Sequence, residues 1–169
     1  SGLGVVRLLE VVRQYYPGVK LYQASTSEMY GDNRSGLLSE ETSFAPSSPY
    51  AAAKLVAHHS TKIYRESYNL FLSNGILFNH ESPLRGLEFV TRKITNEVAK
   101  IKLGLSNSIS LGNIKSSRDW GYAPDYVEAM WKILQYKKPE DFVIATGKQY
   151  SIKDFVNLTA KYLKINLKW

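Results

Sequence analysis

The 169 residues contain no cysteine. That excludes a disulfide framework and any thiolate metal site, and it fits a cytosolic protein. There are three histidines. None has a ligand-like spacing, so no metal centre is expected. No apolar run approaches a membrane span and no signal-peptide pattern opens the chain, so no membrane partner is expected. Acidic residues are outnumbered, 15 against 22 Lys and Arg, for a formal charge of +7. That balance is compatible with nucleic acid or with a phosphorylated ligand. The basic residues are scattered, however, with Arg92-Lys93 and Lys137-Lys138 as adjacent pairs, so nucleic acid is not expected. No Gly-x-Gly-x-x-Gly turn occurs, since Gly2 and Gly4 sit inside a helical pattern and follow no strand.

What is present is an alternation of helix and strand. The apolar period of residues 2–16 predicts a helix ended by Tyr15-Tyr16-Pro17-Gly18. Val19 to Ala24 reads as a strand, and residues 31–48 as a long polar loop. A helix follows from Pro49 to about Tyr68, then a strand over Phe71–Phe78 and a polar loop over Asn79–Gly86. Further on come a helix at 88–103, a short strand at Ile109–Leu111, a polar turn at Lys115–Trp120, a helix at 124–136, a strand at Phe142–Ala145 and a last helix from Ser151. Such alternation with short links argues an α/β protein with a parallel sheet. Ligands in such sheets sit beyond the carboxyl ends of the strands. The polar clusters at 25–28 and 79–86 fall at such ends.

The chemistry centres on Tyr50 and Lys54. Ser48 is a good N-cap and Pro49 suits the first turn, so Tyr50 and Lys54 stand i and i+4 on one helical face. An amine beside a phenol is expected to favour the phenolate and lower its pKa, which equips a general base. The spacing alone is weak, because Tyr16 and Lys20 repeat it across Pro17-Gly18, where no helical face continues. Thr26 and Glu28 strengthen it. If the strand stays extended, they point to one side and place a hydroxyl and a carboxylate beside the phenol. The plainer reading makes Ser25, Thr26 and Ser27 a strand cap and turn. His58 and His59, adjacent on the helix, are expected to point apart as surface or partly buried residues. Trp120, Tyr122, Tyr126 and Trp131 read as core or inter-domain packing rather than a stacking platform for guanine.

Six segments carry a resemblance: YQASTSEMYG (22–31), SPYAAAK (48–54), NGILFNHESPLRG (74–86), FVTRKI (89–94), LGN with RDWGYAPDYVEAMW (111–131) and EDFVIATG (140–147). Together they resemble the GDP-mannose 4,6-dehydratase family, within the extended short-chain dehydrogenases/reductases. Ser27-Glu28 stands where epimerases of that group lack an acid and where dTDP-glucose dehydratases carry Asp-Glu.

The resemblance implies the second half of a Rossmann-like NADP-binding domain over residues 1–81. Over 82–169 it implies mostly a smaller substrate-binding domain, with elements returning to the sheet. It implies GDP-mannose as substrate and NADP as cofactor, with Thr26, Glu28, Tyr50 and Lys54 catalytic. Ser25, Tyr50, Lys54, His80 and Arg85 would contact the cofactor. Thr26, Ser27, Glu28, Asn79, Lys93 and Arg118 would contact the nucleotide-sugar. A homodimer or homotetramer is implied for the complete protein. A related epimerase or reductase, or a non-catalytic nucleotide-sugar binder, is the alternative. Without a Gly-rich turn the chain reads as a fragment, with the first strands before Ser1 and more substrate domain after Trp169. Residues 19–25 are then expected to form an unpaired edge, and the chain alone to bind NADP weakly or not at all. Leu84 departs from the basic residue of the family's ESPRRG stretch.

Overall fold

The computed structural model describes residues 2–31 and 36–168; residues 32–35 of the long polar loop lie outside the described residues. The elements in chain order are α1 (Gly2–Tyr15), β1 (Leu21–Thr26), a 3-10 helix (Ser27–Tyr30), α2 (Pro49–Tyr68), β2 (Leu72–Leu77), β3 (Asn79–Glu81), α3 (Val90–Lys102), β4 (Ser117–Arg118), β5 (Trp120–Tyr122), α4 (Ala123–Gln135), β6 (Asp141–Ile144), β7 (Tyr150–Ser151) and α5 (Ile152–Tyr162). They fall into two compact units. One runs to Phe78 and takes back Pro124–Ala145; the other is Asn79–Ala123 with the chain from Thr146 onward.

The first unit is a parallel sheet of order β1-β2-β6. Leu21 pairs with Leu72 and Thr26 with Leu77, while Asn74 pairs with Asp141 and Leu77 with Ile144. All six residues of β2 are buried, as a central parallel strand requires. Leu9 and Val12 of α1 pack with Leu70 and Leu72. Each such side chain removed from water contributes about 1.5–3 kcal/mol. Gly75 is required inside β2 because the Tyr22 phenol lies on it; a Cβ there would stand 2.3 Å from the Tyr22 hydroxyl. Among the described residues β1 pairs with β2 alone, so residues 21–26 form an open sheet edge. The opposite edge is blunted, since the Val143 N–H donates to the Glu40 carboxylate at 2.7 Å.

The second unit packs α3 against α5 through Ile94, Val98, Val156 and Ala160. Three expectations change here. The polar stretch at 79–86 opens with β3, which pairs in parallel with β5. The turn at 115–120 contains β4, antiparallel to β7. Ile109–Leu111 is irregular rather than a strand: Ile109 and Leu111 pack onto the α3–α5 core instead of alternating across a ladder. Tyr126 is a buried core residue, whereas Tyr122 and Trp131 are exposed and lie outside the cores.

Gly31 ends the 3-10 helix at φ 82°, and its N–H donates to the Glu28 carbonyl. A Cβ there would fall 2.2 Å from the Ala45 carbonyl oxygen. Gly31→Ala combines a left-handed φ with a backbone clash and is expected to cost about 2 kcal/mol. A urea midpoint unchanged by this substitution would contradict the geometry.

Candidate active site

In the first unit, β1 delivers one half of the candidate site and α2 the other. Thr26 is the last residue of β1, still extended at φ −148° and ψ 145°. Its hydroxyl accepts from the Glu28 N–H at 3.3 Å and so caps the 3-10 helix. The strand does not continue to Glu28; the cap turns it. Ser27 is partly buried in that turn, and the Glu28 side chain is exposed.

Across from them Ser48 caps α2, its Oγ accepting from the Ala51 N–H at 3.1 Å, with Pro49 in the first turn. Tyr50 thereby leaves the first turn of α2, half exposed. The Thr26 side chain hydrogen-bonds its phenol, and the Glu28 charge acts on it. One turn on, the Lys54 amine donates to the Ala24 carbonyl at 2.8 Å and stands 5.8 Å from the Tyr50 ring centre. Ser25 is buried, bonded to His58 Nδ1 at 3.0 Å.

The electrostatics differ from the sequence expectation. Burial, and then the Glu28 carboxylate, push the Tyr50 phenol up, and the Thr26 bond only partly opposes them. Burial also pushes the Lys54 amine down. Lys54 is committed to a carbonyl at the edge of the ring, so its charge does not outweigh those effects. Tyr50 is therefore a protonated phenol in this state, poised as a hydrogen-bond partner rather than standing as phenolate.

The second unit holds the other candidate residues. Asn79 and His80 lie in β3, opposite Trp120 and Gly121. The Arg85 guanidinium lies 3.6 Å above the Phe89 ring centre, with its Nε 3.3 Å from Glu81 Oε2. Thr91 donates to the same carboxylate oxygen at 2.7 Å. Arg85 is thus held flat, with edges free for an anion. The Lys93 amine donates to the Ser110 carbonyl at 2.8 Å. The Arg118 guanidinium is exposed and donates to Ser116 Oγ at 3.0 Å and the Ser117 carbonyl at 2.8 Å. Beside it Asp119 is buried and accepts from the N–H groups of Thr146 and Gly147 and from the Thr146 hydroxyl. Glu81, Ser82, Thr91, Arg92, Tyr122 and Phe155 line a cavity of about 320 Å³ with Pro83 and Thr95.

Sequence reading missed one group. His58 is 3% exposed, a core residue rather than a surface histidine. Its Nε2 faces Asp141 Oδ2 at 3.7 Å. The available signal was position: Tyr50, Lys54 and His58 are i, i+4 and i+8 on one face.

The family model described as GDP-mannose 4,6 dehydratase matches residues 1–169. A GDP-mannose 4,6 dehydratase of Dictyostelium discoideum is 54% identical over 171 residues, covering 100% of this chain and 48% of that protein. The chain thus spans about half the length of the curated relatives it matches. Two solved structures are similar in fold. A dTDP-glucose 4,6-dehydratase from Bacillus anthracis in complex with NAD superposes with TM-score 0.85 at 28% identity, over 97% of this chain and 52% of that one. RMD from Pseudomonas aeruginosa complexed with NADPH superposes with TM-score 0.89 at 25% identity, over 98% and 58%.

Proposed function

The chain belongs to the GDP-mannose 4,6-dehydratase family, and on that premise we propose that it carries the proton-transfer residues of a hydro-lyase acting on GDP-mannose. The net reaction removes water and leaves a 4-keto-6-deoxy sugar, GDP-4-keto-6-deoxymannose. The observation that carries this reading is the meeting of Thr26, Glu28 and Tyr50 at the carboxyl end of β1.

Each group has a task that its position supports. Tyr50, once ionised, accepts the proton of the mannose 4-hydroxyl, with Thr26 bonded to the same oxygen. Glu28 takes the proton from C5, which a neighbouring carbonyl acidifies, and passes it to the C6 hydroxyl, which leaves as water. Tyr50, protonated by the 4-hydroxyl, gives its proton to C5 when hydride is delivered to C6. Lys54 spends one N–H on Ala24 and keeps two donors for ribose hydroxyls.

This donor set, at the end of a parallel sheet, fits a nicotinamide cofactor. Such a cofactor, when bound, supplies hydride acceptance at C4 and hydride donation at C6. The similar structures hold NAD in one case and NADPH in the other; we assign NADP here, with Tyr50, Lys54, His80 and Arg85 as its side-chain contacts. Ser25 touches it through its main chain, since the Ser25 side chain is buried against His58. Arg85 is preorganised for a phosphate by Phe89 and Glu81. Asn79, Lys93 and Arg118, with Ser27, are assigned to GDP-mannose. The complete protein is assigned to the cytoplasm as a homodimer or homotetramer.

The test is product analysis. The complete protein with GDP-mannose and NADP should yield a product lighter by one water and, in heavy water, labelled at C5. Glu28→Gln is expected to slow that loss about a hundredfold. Epimerised sugar of unchanged mass would overturn the assignment.

A further inference from the structure

Three residues of α2 reach three points at the end of β1. Tyr50 meets Thr26, Lys54 meets the Ala24 carbonyl, and His58 Nδ1 meets Ser25 Oγ at 3.0 Å. The first two contacts belong to the proton chemistry already assigned. The third does not. Ser25 and His58 are each 3% exposed, so neither is open to attack a substrate as a nucleophile.

What lies behind His58 explains its state. Asp141 Oδ1 accepts from Arg65 Nη1 at 2.7 Å and from Asn74 Nδ2 at 2.8 Å, and Oδ2 accepts from Arg65 Nη2 at 3.3 Å. Asn74 Nδ2 also donates to the His58 carbonyl at 3.3 Å. The network thus ties α2 to all three strands: Ser25 on β1, Asn74 on β2 and Asp141 on β6. Other groups facing the ring are His59, Lys62 and Arg65 of α2, and Phe44, whose ring stands edge-on at 5.0 Å. Burial keeps the imidazole neutral, pushing its pKa down to about 4 against the pull of Asp141. A neutral ring facing a carboxylate through Nε2 carries its proton there. Nδ1 is then the acceptor, and the Ser25 hydroxyl donates to it.

We propose that His58 is a positioning residue of the active site: its bond to Ser25 locks the register of α2 against the end of β1 and so holds the Tyr50 phenol against Thr26 and Glu28. A shift of α2 by a fraction of an ångström would move Tyr50 off Thr26, although the buried His58 ring itself contacts no ligand. The proposal rests on the dehydratase reading for its kinetic readout and is independent of it for its spectroscopic one.

The test uses the complete polypeptide, three single variants and one double variant. His58→Leu removes the acceptor while filling the site. Ser25→Ala removes the donor with little change of volume, which keeps the test open if His58→Leu does not fold. His58→Asn offers an amide oxygen near the place of Nδ1. His58→Leu and Ser25→Ala should each lower kcat roughly tenfold with KM for GDP-mannose within about twofold. The double variant should be no slower than either single one, and His58→Asn should recover most of the loss. Unchanged kcat, multiplied losses in the double variant, or failure of the Asn rescue would each overturn the proposal. Nitrogen-15 NMR of the wild type at pH 7 should find the Nε2–H tautomer at His58; an Nδ1–H tautomer overturns the proposal whatever the activity. A wild type that binds GDP-mannose without dehydrating it defeats the reaction assignment instead, and the tautomer then decides the positioning alone.

Discussion

A Tyr50→Phe variant of the complete protein is expected to lose roughly a thousandfold in turnover while binding GDP-mannose about as well as before. The substitution removes one oxygen. That oxygen is the atom that Thr26 bonds and that Glu28 acts on. The phenyl ring stays and so does the α2 N-cap at Ser48, because neither depends on the hydroxyl. The loss should therefore appear in kcat rather than in KM. The same environment sets a direction with pH. A base must be deprotonated to act, and burial together with Glu28 holds the Tyr50 phenol above its ordinary value. A difference titration of the ligand-free wild type against Tyr50→Phe should find the missing phenol ionising above the usual tyrosine range. Glu28→Gln removes a negative charge that favours the neutral form, and should bring that ionisation down. Near wild-type turnover in Tyr50→Phe would take the phenol out of the chemistry and, with it, the function proposed for this cluster.

The parts of this site that could be read in advance are local ones. The start of α2 follows from Ser48-Pro49, whose capping preferences act within a single turn. The pairing of Tyr50 with Lys54 follows from helical geometry once that start is known. β1, β2 and β6 are short apolar runs between turn residues, and their parallel order follows from the helices between them. The turn at Ser27–Tyr30 was harder. Thr26 could continue the strand or cap a helix, and the choice rests on one side-chain bond to the Glu28 N–H. His58 was not legible as a buried residue. Burial keeps it neutral and Asp141 orients it, and Asp141 is fixed in turn by Arg65, 76 positions away. A polar residue in a core looks like a surface residue until its distant partner is known. Ile109–Leu111 failed for the opposite reason. Three alternating residues match a strand, yet the α3–α5 core absorbs them without any ladder.

Removing the carboxylate of Asp141 is expected to cost about 3–5 kcal/mol in the Asp141→Ala variant. The reason is what stays behind. The Arg65 side chain is 12% exposed and the Asp141 side chain 16%. Without Asp141 a guanidinium remains in the interior with its Leu72 carbonyl bond alone, and Asn74 loses an acceptor. Asp141→Asn should cost less, since an amide oxygen can still accept from Arg65. The pH dependence separates the members of the network. Burial by itself would raise the Asp141 carboxyl, but the bonds from Arg65 and Asn74, with the charges of Arg65 and His58, outweigh it and hold the carboxyl below its ordinary value. Its contribution is present above the ordinary aspartate range and is lost as the pH falls below it. His58 acts at higher pH. Its folded pKa of about 4 lies below the ordinary 6.5, so the unfolded chain takes up a proton that the folded one resists. Wild-type stability should fall by roughly 3 kcal/mol as the pH drops from 6.5 towards 4. Asp141→Ala removes the charge that draws a proton to the ring, so that fall should persist and extend to lower pH. His58→Asn abolishes the titrating group and should flatten it. Denaturant midpoints measured across this range distinguish the cases, and a wild type equally stable at both ends would mean that His58 does not carry its charge change into folding.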